Sequence, residues 1–124
     1  MHPDGSLYLV GGTPGANIQV QTNLQLLTNV IDLKLNVQEA IEAPRWQHLN
    51  APGASSAEES GLGVLEIEDR VSASVFEELK TKGHQVVALA PWGHGSSAQL
   101  MEVMANGTHA FGSDPRCEGQ ASGV

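Results

Sequence analysis

Gly11-Gly12-Thr13-Pro14-Gly15-Ala16-Asn17-Ile18-Gln19-Val20-Gln21-Thr22-Asn23-Leu24-Gln25-Leu26-Leu27 runs from a glycine-rich turn straight into a pattern of helical period. Val20, Leu24, Leu27 and Ile31 fall on one face, while Leu26, Val30 and Leu33 form a second apolar stripe. So wide an apolar surface predicts a helix covered from more than one side. Ahead of the turn, residues 7–10 read as a short strand leaving Asp4-Gly5, a pair that supplies the positive φ values of a two-residue hairpin. Only Met1, His2 and Pro3 precede that pair, so the hairpin's first arm is expected to be missing, as in a truncated chain.

Downstream, Asn36 and Glu39 have the spacing of a capping box, and Pro44 stops the short helix that starts near Val37. Residues 45–49 are predicted as a strand. Residues 50–63, rich in Ala, Ser and Gly, are predicted as a mobile surface loop. Residues 64–68 alternate as a strand does, Ser74 with Glu77 is placed to cap a helix, and Gly83 to close it. A strand over 85–89, a loop over 91–97, and strands over 98–104 and 108–111 flanking Asn106-Gly107 follow. The tail from Gly112 is polar and without period. This order predicts an α+β or layered α/β fold with a largely antiparallel sheet.

The 124 residues suit a single domain spanning residues 1–124, since domains typically hold on the order of 100 to 150 residues. With 40% hydrophobic and 16% charged residues the chain can bury a core. A net charge of −8 repels phosphate backbones and anionic lipid, so neither nucleic acid nor a membrane is an expected partner. No apolar run reaches the ~18 residues of a membrane span, and no leader of basic plus apolar residues is present. A soluble chain of undetermined compartment is expected. Cys117 stands alone, so no intrachain disulfide is expected. His2, His48, His84, His94 and His109 lack metal-ligand spacing, and neither a metal nor a cofactor is expected.

Several residues carry candidate chemistry. The loop over residues 12–16 opens a helix, so its main-chain N–H groups suit an anion or a developing oxyanion; a turn that only redirects the chain is the plain alternative. No phosphate-loop Lys-Ser or Lys-Thr follows it, which disfavours nucleotide binding. His94 beside Ser96 and Ser97 puts a base near hydroxyls, yet Gln99 stands where a nucleophile elbow needs its last glycine. Glu66 and Glu68, with Asp69 next to them, offer an acid and base on one strand face or simply a solvated strand edge. Asp114-Pro115-Arg116 suggests an internal ion pair, with Cys117 beside it as an inert thiol.

Read together, the blocks become specific. Gly12-Thr13-Pro14-Gly15, then Gln21-Thr22-Asn23-Leu24-Gln25, then Asn36-Val37-Gln38-Glu39-Ala40-Ile41-Glu42-Ala43-Pro44-Arg45-Trp46 resemble the γ-glutamyltransferase (γ-glutamyltranspeptidase) family. Residues 65–71, residues 79–86 with Lys82-Gly83-His84, and Gly112-Ser113-Asp114-Pro115-Arg116 continue the resemblance in order. The Gln21-to-Gln25 block and Arg45-Trp46 look closest to the oxamate amidohydrolase-like branch.

The resemblance implies the C-terminal part of a small subunit of an N-terminal nucleophile hydrolase, an αββα sandwich whose autoproteolysis frees a threonine nucleophile. It implies transfer or hydrolysis of γ-glutamyl amides of the glutathione type, with the threonine's α-amine as base. The family's Pro-Gly-Gly oxyanion loop falls on Pro14-Gly15-Ala16, so the backbone N–H groups of Gly15 and Ala16 are the implied catalytic elements. Ala16 keeps an N–H but loses glycine's freedom, and the hole survives most readily where that position needs no positive φ. The family's nucleophile lies upstream of the matched blocks, and the internal Thr13, Thr22 and Thr28 are poor substitutes. The chain is therefore expected to be inactive alone and to need the N-terminal part of the fold. A homo-oligomer, a non-catalytic binding or assembly module, and a serine hydrolase using Ser96 or Ser97 with His94 are the further expectations.

Overall fold

The computed structural model describes residues 1–49 and 63–120; all but the last residue of the predicted loop 50–63 lies outside them. Along the chain run β1 (Leu9–Gly12), α1 (Gln19–Ile31), α2 (Val37–Glu42), β2 (Trp46–Leu49), β3 (Val64–Glu68), α3 (Ala73–Thr81), β4 (Gln85–Leu89), β5 (Gln99–Val103) and β6 (His109–Ser113). A 3-10 turn over Ala16–Ile18 leads into α1. Two compact units divide the chain, one formed by Met1–Ala43 with Gly95–Val124 and the other by Pro44–His94.

The first unit holds an antiparallel sheet in the order β1-β5-β6. Leu9 faces Glu102 and Gly12 faces Gln99 across one seam; Gln99 faces Ser113 and Val103 faces His109 across the other. The Asp4-Gly5 turn is present, closed by His2 N–H to the Ser6 carbonyl at 2.9 Å, but the strand after it starts at Leu9 and pairs with β5. Between β5 and β6 the turn closes from Gly107 N–H to the Met104 carbonyl at 2.8 Å. Of Asn106 and Gly107, only Gly107 takes a positive φ, 82°. The hairpin therefore turns through Ala105-Asn106-Gly107, and the Asn106 carboxamide oxygen accepts the Thr108 N–H at 3.0 Å.

α2 starts as its sequence predicts. The Asn36 side chain accepts the N–H groups of Gln38 (3.0 Å) and Glu39 (2.9 Å), and the Glu39 carboxylate accepts the Asn36 N–H at 3.1 Å. The helix lies on β6 because residue 112 is glycine: a Cβ there would sit 2.8 Å from the Val37 carbonyl oxygen and from Ile41 Cδ1. The Gln38 carboxamide then acts as one more peptide unit, donating to the Ser113 carbonyl (3.0 Å) and accepting its N–H (2.9 Å).

Leu26 and Val30 of α1, Val37, Ala40 and Ile41 of α2, and Ala98 and Leu100 bury together as the core of this unit, flanked by Tyr8, Leu9, Leu35 and Ala110. Each large aliphatic chain so buried contributes about 1.5–3 kcal/mol. The inward face of α1 is thus the Leu26–Val30 stripe extended by the buried Thr22, while Leu33 lies past the helix end and is exposed. Coverage from a second side is not supplied within the described residues. Val20 is 77% and Leu24 59% exposed, and Leu27 and Ile31 are exposed with them.

The second unit is a sheet in the order β2-β3-β4 with α3. β2 and β3 are antiparallel, with Trp46 opposite Ile67; β3 and β4 are parallel, with Val64 opposite Gln85. The parallel pair follows from α3, a crossover helix that returns the chain to the same end of the sheet. α3 begins two residues earlier than the Ser74–Glu77 spacing predicts. Ser72 is its N-cap, and the Ser72 and Ser74 hydroxyls pair at 2.8 Å. At its C-terminus His84 N–H reaches the Leu79 carbonyl (3.1 Å) and Gly83 N–H the Lys80 carbonyl (2.9 Å), which satisfies the last turn. No helix among the described residues is long and apolar enough to cross a membrane.

Candidate functional site

The loop between β1 and α1 is held just ahead of its Gly15-Ala16 pair. Thr13 Oγ1 donates to the Asn23 carboxamide of α1 at 3.2 Å, and the buried Ser96 Oγ donates to the Pro14 carbonyl at 2.6 Å across 82 residues of chain. Directly after these anchors Gly15 has φ +131° and Ala16 φ +47°. Ala16 therefore does occupy a left-handed conformation, at a cost of about 1–2 kcal/mol for a residue with a Cβ. Strain of this kind persists only where surrounding contacts over-determine the backbone. Among the described residues, the N–H groups of Gly15 and Ala16 donate to no backbone or side-chain acceptor. Two adjacent open donors thus stand at the start of the 3-10 turn that leads into α1, and a helix N-terminus favours negative charge.

The other sequence candidates are engaged elsewhere. Ser96 is 1% exposed and its hydroxyl hydrogen is directed at the Pro14 oxygen, a structural bond rather than the arrangement of a nucleophile handing its proton to a base. Thr22 is buried and donates to the Ile18 carbonyl at 3.1 Å.

Glu68 lies on the central strand of its sheet and is fully buried, so it is no solvated edge. It accepts the Arg45 N–H (3.1 Å), the His94 N–H (3.2 Å) and Arg70 Nη2 (2.7 Å). Arg70 in turn lies 3.5 Å over the Trp92 ring. Glu66 accepts from Gln47 Nε2 at 2.5 Å. These contacts fit a structural clasp rather than an acid and base pair.

The pair in Asp114-Pro115-Arg116 forms as its sequence suggests. Arg116 Nη1 meets Asp114 Oδ1 at 3.1 Å with both side chains buried, and the guanidinium also donates to the carbonyls of Ile41 (2.9 Å) and Ala43 (3.0 Å) at the C-terminal end of α2. That double duty matches the cation preference of a helix C-terminus. Cys117 is exposed.

The family description gamma-glutamyltranspeptidase matches residues 1–124. The chain belongs to the γ-glutamyltranspeptidase family. It is 34% identical over 113 residues to the glutathione hydrolase proenzyme of Escherichia coli, covering 91% of this chain and 17% of that protein. It is 31% identical over 116 residues to the oxamate amidohydrolase proenzyme of Klebsiella pneumoniae, covering 93% and 21%. The structure of the γ-glutamyltranspeptidase of Pseudomonas nitroreducens complexed with L-DON superposes with a TM-score of 0.76 at 25% identity, over all of this chain and 59% of that one. The chain thus spans about a fifth of the curated relatives it matches and carries an α+β part of the N-terminal nucleophile hydrolase fold typical of γ-glutamyltranspeptidases.

Proposed function

We propose that this chain is the oxyanion-binding part of a γ-glutamyl amide transferase or hydrolase and acts only when joined to the part of the fold that bears the threonine nucleophile. The observation that carries this is the pair of open N–H groups on Gly15 and Ala16, set on successive positive-φ residues directly after the anchored Thr13 and Pro14. In the assembled site the threonine oxygen attacks the γ-carbonyl carbon and the threonine α-amine takes the hydroxyl proton. The two N–H groups then stabilise the tetrahedral oxyanion. Collapse expels the amine, and water or an acceptor amine resolves the acyl-enzyme.

Replacing Gly15 by glycolic acid or Ala16 by lactic acid through semisynthesis removes one N–H and leaves the side chain unaltered. In the assembled enzyme each ester is expected to lower kcat about 10²–10³-fold with little change in KM. An unchanged kcat in both esters refutes the oxyanion role.

The bare Val20–Leu24–Leu27–Ile31 stripe and the outer edge of β1 support an assembly role beside the catalytic one. We infer that in the isolated chain a second copy covers them, as a homodimer burying at least ~1,000 Å². The −8 charge opposes this weakly, because exposed charges farther apart than ~8 Å are screened at physiological salt. Light scattering at micromolar concentration that finds a stable monomer of 13.0 kDa excludes the homodimer. Tight joining to the nucleophile-bearing part without turnover of a γ-glutamyl anilide leaves assembly as the chain's whole role.

A further inference from the structure

We propose that Ser96 is a positioning residue that sets the direction of the Gly15 N–H by holding the preceding carbonyl. The proposal rests on the oxyanion role given above and adds the device that orients it. The Pro14–Gly15 peptide is trans and planar, so its C=O and N–H point in opposite directions. With the Pro14 oxygen held 2.6 Å from the buried Ser96 Oγ, the Gly15 N–H is turned to the other side of the loop.

Nothing in the local backbone would otherwise hold it there. Rotating that peptide unit changes ψ of Pro14 and φ of Gly15, and glycine accepts φ of either sign at little steric cost. A flipped unit would bring a carbonyl oxygen, a partial negative charge, to the place the donor now occupies. The lock is backed by packing as well as by the bond. A Cβ added to Gly15 would lie 3.3 Å from Ser96 Cβ and 2.9 Å from Ile18 Cγ1, so the glycine is seated against the same serine. A second acceptor, the Ser97 carbonyl, stands at 3.5 Å from Ser96 Oγ, the outer limit of a hydrogen bond, and the one hydroxyl proton goes to Pro14.

The test uses the 124-residue chain labelled with 15N and 13C, as wild type and as Ser96→Ala, Ser96→Thr and Ser96→Cys. The Pro14 carbonyl 13C shift reports the hydrogen bond, and relaxation dispersion at the Gly15 amide reports flipping of the peptide. Ser96→Ala is expected to move the carbonyl signal upfield and to broaden Gly15 by exchange. Ser96→Thr, which keeps the hydroxyl, restores both, and Ser96→Cys, a weak donor, falls between. Should Ser96→Ala not fold, the Thr and Cys pair carries the comparison. In the assembled enzyme Ser96→Ala lowers kcat about tenfold or more, while KM stays within about a factor of two.

Pro14 and Gly15 signals unchanged in folded Ser96→Ala, or equally disturbed in Ser96→Thr, overturn the lock whatever the esters show. A Gly15 amide that exchanges in Ser96→Ala while kcat holds supports the lock and removes the oxyanion role instead.

Discussion

Replacing Arg116 with methionine keeps a long apolar stem but removes the guanidinium, and the structure sets the size of the loss. The guanidinium reaches the Asp114 carboxylate at 3.1 Å and the carbonyls of Ile41 and Ala43 at 2.9 and 3.0 Å, with both charged side chains shut away from water. Hydrogen bonds to a charged group contribute about 1.5–3 kcal/mol each, and bonds sharing one donor group add to less than their sum. Independently, stripping one partner from a buried ion pair costs about 3–5 kcal/mol, because the other charge is left uncompensated. Both routes converge on roughly 3–5 kcal/mol, a large share of the ~5–15 kcal/mol that holds an ordinary domain together. At a urea m-value of about 2 kcal/mol/M the unfolding midpoint should fall by about 2 M, and salt should alter this little because the pair is buried. Adding Asp114→Asn to Arg116→Met removes the stranded charge and should recover part of the loss. A Met variant within about 1 kcal/mol of wild type, or a double variant less stable than the single, refutes this account of the pair.

Other outcomes follow from the same geometry. Leu26→Ala should cost about 2–5 kcal/mol in a thermal or urea melt, whereas Leu24→Ala, read at concentrations low enough to keep the chain monomeric, should cost about 0.5 kcal/mol or less; equal losses would contradict the assignment of the two stripes. Ala16→Gly should leave stability unchanged or raise it by up to ~1 kcal/mol by relieving the left-handed alanine, and Ala16→Val should lower it by more than ~1 kcal/mol, both read as shifts in urea midpoint. The chain by itself should not turn over a chromogenic γ-glutamyl anilide, because Thr13 donates to Asn23 and Thr22 is buried; turnover abolished by Thr13→Ala would reverse that conclusion.

Local rules carried the sequence a long way where the chain speaks for itself within a few residues. The Asn36–Glu39 box, the Pro44 stop, the strand at Val64–Glu68 and the close at Gly83 all stand in the structure, although Ile67 and Glu68 are both buried rather than alternating. Ser74 misled because its three-residue spacing to Glu77 fits a capping box, whereas the helix starts at Ala73 after Ser72, whose side chain makes no capping bond. The two stripes of α1 were visible, but periodicity has no sign for which one faces the core; the contacts from α2 and β5 decide it. Glu66 and Glu68 alternate alike, yet Glu68 is buried because Arg45, Arg70 and His94 converge on it from outside its own strand. At the site, the loop over residues 12–16 announced itself through composition. The part played by Ser96 did not, since its partner is 82 residues away and a serine among small residues carries no mark of one.

The first unit is discontinuous, with residues 44–94 spliced between its two halves. A chain made from its N-terminus exposes α1 and α2 long before β5 and β6 exist to receive them, so the Leu26, Val30 and Ile41 side chains wait while some fifty residues are synthesised. The inserted unit, contiguous in sequence, has every strand it pairs in hand first and is expected to order earlier. Closure of the first unit then brings Ser96 to Pro14 and Arg116 to the end of α2 in one late step. The loop that would bind the oxyanion is therefore among the last features to acquire its shape, and its geometry doubles as a record that the two halves of the first unit have met.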